Sequence, residues 1–244
     1  MKILVCISHV PDTTSRINFI DNATKFDTTG VQFIIGPYDD YALARAIELK
    51  EQIPGTTVTA LNVGLADTEP TIRKALAIGA DDAIRINMEP TESFLVATQI
   101  AGQAKGYDLI LMGRESIDFN GGVVHAMVGE MLGLPSISPV MKLDIEGTKV
   151  KMSVEIEGGK EQVEANLPLV AGCQEPIAEW KIPNMRGIMS ARTKPLKVVE
   201  PQAAQAATAT QKFELPPPKG AVKMIAADNM AELVSKLKNE AKVL

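Results

Sequence analysis

The chain has 244 residues, enough to bury one sizeable α/β core. Its formal net charge is −5, and so mildly acidic a chain lacks the clustered Lys and Arg that nucleic-acid binding requires. Apolar runs all fall short of the roughly 18 consecutive residues of a membrane span, so no direct membrane insertion is expected.

The first apolar run, Ile3 to Ser8 (ILVCIS), has strand length and reads as a strand buried on both faces. His9 and Pro11 cut it short, and it lacks the long apolar region and cleavage site of a signal peptide. Residues 11–36 form an excursion, in which RINFI and VQFII alternate around polar turns like a small hairpin. Pro37 to Ile53 reads as a helix, with Asp39 and Asp40 in its first turn and Tyr41, Ala42, Ala46, Leu49 and Ile53 near one face. Thr57 to Val63 is a second strand and Asp67 to Ile78 a second helix. Asp82 to Ile86, Glu92 to Lys105, Leu109 to Met112 and Val123 to Leu132 continue the alternation, with Gly133 and Pro135 closing the last helix. Alternating strands and helices imply a parallel sheet with helices on both faces.

Beyond Pro135 the texture changes. Lys142 to Glu146, Lys149 to Ile156 and Lys160 to Asn166 are short β-patterned segments separated by Gly147 and Gly158-Gly159, a meander signal. Leu169 to Gly172 reads as a strand rejoining the main sheet, and Pro176 to Pro201 as largely irregular. Gln202 to Lys219 is rich in Ala, Gln, Thr and Pro and predicts an extended linker. Asn229 to Lys242 is an amphipathic helix with Met230, Leu233, Val234 and Leu237 on its apolar side, suited either to its own domain or to a partner.

Ligands of open parallel sheets bind at the carboxyl ends of the strands. Here the fourth strand runs into Gly113-Arg114-Glu115-Ser116-Ile117-Asp118-Phe119-Asn120-Gly121-Gly122, a polar loop with glycines at both ends that leads into a helix. Such a loop suits a phosphate, or else is an ordinary turn with Asn120 as helix cap. It matches neither GxGxxG nor GxxxxGK[ST]. Gly36-Pro37-Tyr38-Asp39 opens the first helix at the same edge, with Tyr38 either a surface aromatic or a ring packed on a flat ligand. His9 and His125 are the only histidines, and no nucleophile elbow, carboxylate pair or metal spacing accompanies them. The chain is therefore not expected to be an enzyme on its own. Cys6 and Cys173 stand far apart without a CxxC, as two small buried side chains of a reducing, cytoplasmic compartment would.

Several stretches, taken in order, carry a specific resemblance: ILVCISHVPDT, GPYDDYALARAIELK, TEPTIRKALAIGAD, DLILMGRESID and PNMRGIMSARTKPL. Along nearly its whole length the chain resembles the β subunit of electron transfer flavoprotein. The resemblance implies an open, mostly parallel, doubly wound α/β sheet of the adenine-nucleotide-binding type, with a small β-meander and an extended C-terminal arm ending in a helix. It implies a heterodimer with an α subunit that carries FAD, taking electrons from acyl-CoA or other dehydrogenases and passing them to a quinone oxidoreductase. AMP would sit in this subunit as a structural ligand. In a bifurcating branch a second FAD fills that pocket and NADH is the donor.

Carried over by position, the nucleotide pocket includes Cys6, Gly36, Pro37, Tyr38, Asp39 and Val63. It continues through Gly113, Arg114, Glu115, Ser116, Ile117, Asp118, Phe119, Asn120, Gly121, Gly122, Val123 and Val124. Tyr38 matches an aromatic that approaches the flavin. Met185, Arg186, Gly187, Ile188, Met189 and Arg192 match the loop that docks a dehydrogenase, with Met185 as its anchor and Lys194 and Lys197 following. Residues 1–200 would then be the nucleotide-binding domain, including a recognition loop at 183–195, and 201–244 a linker and helix packing on the partner subunit. Three positions depart from the family pattern: Gly36 replaces a usual Asn, Thr13 replaces a frequent aromatic, and Phe119 to Gly122 differs from the bifurcating run, which leans toward AMP. A free-standing adenine-nucleotide-binding protein is the alternative of another class.

Overall fold

The computed structural model describes residues 1–244. In chain order its elements are β1 (Lys2–Cys6), β2 (His9–Pro11), β3 (Phe19–Ile20), β4 (Lys25–Phe26), β5 (Phe33–Ile35) and α1 (Pro37–Gln52). Then come β6 (Thr57–Val63), a 3-10 turn at Ala66–Thr68, α2 (Glu69–Ile78), β7 (Asp82–Ile86), α3 (Ser93–Gln103), β8 (Leu109–Gly113) and α4 (Val124–Leu132). The chain continues with β9 (Ser136–Glu146), β10 (Lys149–Ile156), β11 (Gly159–Asn166), β12 (Leu169–Cys173), α5 (Met185–Ala191), β13 (Leu196–Val199) and α6 (Met230–Asn239).

Nine strands make one sheet in the order β11-β10-β9-β12-β8-β1-β6-β7-β13. From β9 to β13 every neighbouring pair is parallel; β10 and β11 add on antiparallel. The central strands are apolar throughout because both faces are covered. Ile3 and Val5 of β1 pack in a core with Leu43, Ala46, Ile72 and Leu76 of α1 and α2. Their neighbours Leu4 and Cys6 point to the other face, toward Ala97 and Ile100 of α3 and Val128 of α4. The doubly wound α/β class is therefore as expected.

The meander is not a separate unit. β9 is long enough to serve two partners: Ser136, Ile137 and Val140 pair with β12, and Val140 to Glu146 pair with β10. The hairpin segments thus widen the main sheet. The excursion yields two small antiparallel pairs, β2 with β5 and β3 with β4.

The expectation of an irregular 176–201 is corrected: this stretch holds α5 and β13. Asn184 caps α5 by accepting from the Gly187 N–H (2.8 Å), and β13 adds a last parallel strand beside β7. Beyond β13 the arm runs along α3. Gln99 accepts from the Gln202 N–H (2.8 Å) and donates to the Gln202 carbonyl (2.9 Å). Farther on, the Phe213 ring stacks on Phe19 (5.0 Å between centroids) and the Phe213 N–H donates to Ala23 (2.7 Å). α6 starts at its Asn229 cap and buries none of its residues. No helix is long and apolar enough to cross a membrane.

Candidate functional site

From β1 the chain winds outward through β6 and β7, then returns to place β8 on the other side of β1. The order reverses between β8 and β1, and the crevice outside their carboxyl ends is where such sheets take ligands. Cys6, Gly36 to Asp39, Val63 and Gly113 to Val124 all lie along this one edge. Residues far apart in sequence are thereby brought to a single rim.

Asp39, in the first turn of α1, ties the ends of β1 and β8 together at this rim. Its Oδ2 accepts from the Ser8 N–H (2.8 Å) and hydroxyl (2.5 Å), and its Oδ1 accepts from the Gly113 N–H (2.7 Å). The carboxylate is 5% exposed, and no Lys, Arg or His pairs with it. Burial pushes its pKa up to about 6, against the three hydrogen bonds that favour the charged form. Two glycines leave it room. A Cβ on Gly36 would collide with the Ser8 hydroxyl and come 2.5 Å from Oδ2, and one on Gly113 would lie 2.6 Å from Oδ1. The glycine at 36 is thus matched to the Ser8–Asp39 pair.

The loop after Gly113 rises over this rim. The Arg114 guanidinium donates to Gln174 (2.8 Å), sits beside Glu115 (3.4 Å) and lies 5.4 Å above the Tyr38 ring, a cation–π distance. Asn120 is not the helix cap. It takes a left-handed conformation (φ 49°), and the cap position falls to Val123, whose side chain caps nothing. Gly122 is also left-handed (φ 62°). The amides of Gly121, Gly122 and Val123 have no protein acceptor, so the positive end of α4 is left bare. That arrangement suits an anion. Phe119 projects from the loop, 56% exposed.

Asn62 supplies a further enclosed polar group at this edge. It donates to the Ile7 carbonyl (2.9 Å), but its Oδ1 is buried without a partner. Other titratable groups are committed to the fold. His9 bonds Thr71 through Nδ1 (2.8 Å) and stacks on Phe33 (4.3 Å), and burial lowers its pKa. His125 bonds Ser136 (3.2 Å), and burial lowers its pKa too. Burial raises both the Cys6 and Cys173 thiols, leaving them far from the reactive thiolate form.

Met185 to Arg192 lie elsewhere, on the outer side of α2. α2 runs back from the carboxyl edge, and its last turn backs α5: Gly187 lies against the Ala77 carbonyl with no space for a Cβ. Arg73 donates to the carbonyls of Ala191 and Lys194 (2.9 Å each), and the Lys194 ammonium donates to Leu76 (2.8 Å) and Ala80 (2.6 Å) at the end of α2. A cleft of about 530 Å³ separates the helices, lined among others by Arg73, Lys74, Ile188 and Arg192. Met185 and Met189 of α5, and Trp180 and Ile182 just before it in the chain, are exposed. The sequence places Ser8 at the end of the first strand without assigning it a role, and it does not single out Trp180 or Ile182. Trp180 is the only tryptophan of the chain, and a lone tryptophan in a stretch that the sequence predicts to be irregular is the signal that could have marked it.

Residues 23–204 match the electron transfer flavoprotein domain family. The chain is 35% identical to the electron transfer flavoprotein subunit beta of Bacillus subtilis over the full length of both proteins. It is 34% identical to that of Syntrophomonas wolfei over 91% of this chain and 88% of the relative. It is also 30% identical to subunit CarD of the caffeyl-CoA reductase–Etf complex of Acetobacterium woodii, over 98% and 99% of the two chains.

Proposed function

This chain belongs to the electron transfer flavoprotein family, in the branch of its β subunits, and we propose that it is the nucleotide-holding, partner-docking half of a heterodimer whose α subunit carries FAD. The observation that carries this reading is the full-length likeness to proteins named as β subunits. The chain's role in electron transfer follows from the family. The heterodimer accepts electrons from acyl-CoA or other dehydrogenases and delivers them to a quinone oxidoreductase, in the cytoplasm.

AMP is the ligand of the carboxyl-edge crevice. The residues fit it: the bare amides of Gly121 to Val123 would hold its phosphate, and the buried, unpartnered Asn62 Oδ1 is free to accept from an N–H or O–H group. Gly113 lets Asp39 and Tyr38 pack directly on the backbone at the end of β8, which fixes the start of α1 at the rim of the crevice. FAD, when bound, supplies the redox chemistry. Tyr38, held under Arg114, offers a flat apolar surface at the mouth of the crevice. Residues 1–200 act as the nucleotide-binding domain, residues 201–244 reach the α subunit, and α5 presents Met185 and Met189 to a dehydrogenase.

A second reading keeps the same crevice but fills it with a second FAD, with NADH as donor; the likeness to a subunit of a reductase–Etf complex supports keeping it in view. The cofactor content of the purified heterodimer decides. One FAD and one AMP per heterodimer is the expected result. Two FAD would replace the first reading by the second. A monomeric chain that hydrolyses ATP would overturn both.

A further inference from the structure

The methionines range from fully buried to largely exposed, and among the exposed ones Met185 and Met189 stand on a helix anchored to the fold, whereas Met224, in the arm, does not. Met112 and Met152 are enclosed in the two cores, whereas Met185 and Met189 are 74% and 68% exposed. These two lie four residues apart in α5 and so share a face of the helix. Ile188, between them in the helix, is also part-exposed, and Trp180 and Ile182 just ahead of the helix are exposed as well, so the two thioethers form an apolar ridge on a helix that also carries Arg186.

The ridge has no way to retreat. Gly187 is pressed on the Ala77 carbonyl, Arg73 holds the carbonyl of Ala191, and Lys194 is bonded to the last turn of α2. A chemical change at these sulfurs stays on the surface and cannot be hidden by refolding.

We propose that Met185 and Met189 form an oxidation site whose conversion to sulfoxide uncouples the docking face from its dehydrogenase partner. The proposal rests on the reading of α5 as the docking helix. The oxidant is a hydroperoxide. The thioether sulfur attacks a peroxide oxygen, the S–O bond forms as the O–O bond breaks, and a proton moves to the departing oxygen. With hydrogen peroxide the products are methionine sulfoxide and water: sulfur gives up two electrons and the peroxide gains them. The adaptable apolar anchor becomes polar and hydrogen-bond-accepting. Buried in a partner's apolar pocket, that oxygen would have no donor, and the contact is lost. Enzymatic sulfoxide reduction restores the thioether.

The test uses the purified heterodimer, treated with hydrogen peroxide, freed of it with catalase, and assayed for electron transfer from its cognate dehydrogenase. Peptide mass spectrometry scores each methionine, and flavin content is measured throughout. The expected result is sulfoxide at both positions, unchanged flavin, and transfer slowed by about tenfold, a loss that one unfavourable contact can produce. Sulfoxide reductase should restore the rate. A Met185→Leu/Met189→Leu pair should transfer equally well before and after peroxide, while Met224→Leu/Met230→Leu, altered at exposed methionines of the arm, should lose transfer as the wild type does. Full transfer by protein carrying both sulfoxides overturns the proposal, as does an equal loss in the Met185→Leu/Met189→Leu pair. Failure of these sulfurs to oxidise while Met224 is converted also overturns it. The underlying docking reading is checked apart: Met185→Ala, without peroxide, should already slow transfer, and a wild-type rate there would remove the docking role itself.

Discussion

At the scale of single residues, the group with the clearest physical consequence is Asp39. Its position in the first turn of α1 was legible, since an acid there favours the helix dipole. Its three partners were not, because Ser8 and Gly113 reach it only through the tertiary fold. The same holds for Gly36. The sequence marks it as an unusual residue, but only the geometry shows that a side chain there would strike Ser8 and Asp39. The Asp39 pKa is raised from 3.8 to about 6, so between those values the folded chain holds the proton and the unfolded chain has lost it. Stability from this group is therefore greatest at low pH and declines as pH rises through that window, by about 3 kcal/mol in all. Asp39→Asn lacks the titration. Urea unfolding from acid to neutral pH should show the variant gaining on the wild type by roughly that amount, and parallel pH profiles would refute the burial argument. Gly113→Ala tests the packing around the same carboxylate. Its methyl would meet Oδ1 and the Tyr38 Cβ at 2.6 and 2.7 Å, and a loss of about 1–3 kcal/mol is expected in denaturant melts.

Elements differ in how plainly the sequence announces them. The central strands and α1 to α4 carry long apolar runs or helical periodicity and could be read within a residue or two of their ends. α5 and β13 could not. A seven-residue helix spans barely two turns, and its outward methionines leave no polar face to set up a period. β13 is an edge strand of four residues with polar neighbours, so it lacks the double-sided burial that marked the others. β13 is held by its ladder with β7, and α5 by hydrogen bonding to α2, carried by two basic side chains that look in the sequence like ordinary surface charge. Lys194 is the sharper case. Burial lowers its pKa, yet it satisfies two carbonyls at the end of α2. Lys194→Met keeps the apolar stem and removes the donor. The expected cost is about 1–3 kcal/mol, seen locally as faster amide hydrogen exchange across residues 185–199 with α1 and β1 unaffected. Exchange raised evenly over the whole chain would show instead that Lys194 supports the core and not the docking helix.

Across the whole molecule, the extended arm was legible from composition, but its path was not. A stretch rich in Ala, Gln and Pro says only that little core can be buried there. The structure gives it three points of attachment. Gln202 bonds Gln99, the Ala207 N–H donates to Glu92 (3.4 Å), and Phe213 stacks on Phe19 while its N–H reaches Ala23. Glu92 also caps α3, accepting from Phe94 and Leu95 (2.9 and 2.7 Å), and Ser93 lies 3.5 Å from where a Cβ on Gly121 would stand. The arm therefore passes close to the loop that rims the crevice, and it ties the excursion at residues 11–36 to the far end of the chain. Past Phe213 the chain makes no comparable contact with the sheet or its helices, so this aromatic pair sets where the free reach of α6 begins. An aromatic pair of this kind contributes about 0.5–1.5 kcal/mol beyond its buried area. Phe213→Ala should then raise the population of released arm by about 2- to 12-fold. Limited proteolysis between Gln202 and Phe213 should quicken by a similar factor, while the melting temperature barely moves, because neither ring belongs to the cores. Cleavage at the wild-type rate would mean that Gln202 and Ala207 hold the arm without the clasp, and a large fall in melting temperature would mean that the excursion is folded by the arm and not merely tied to it.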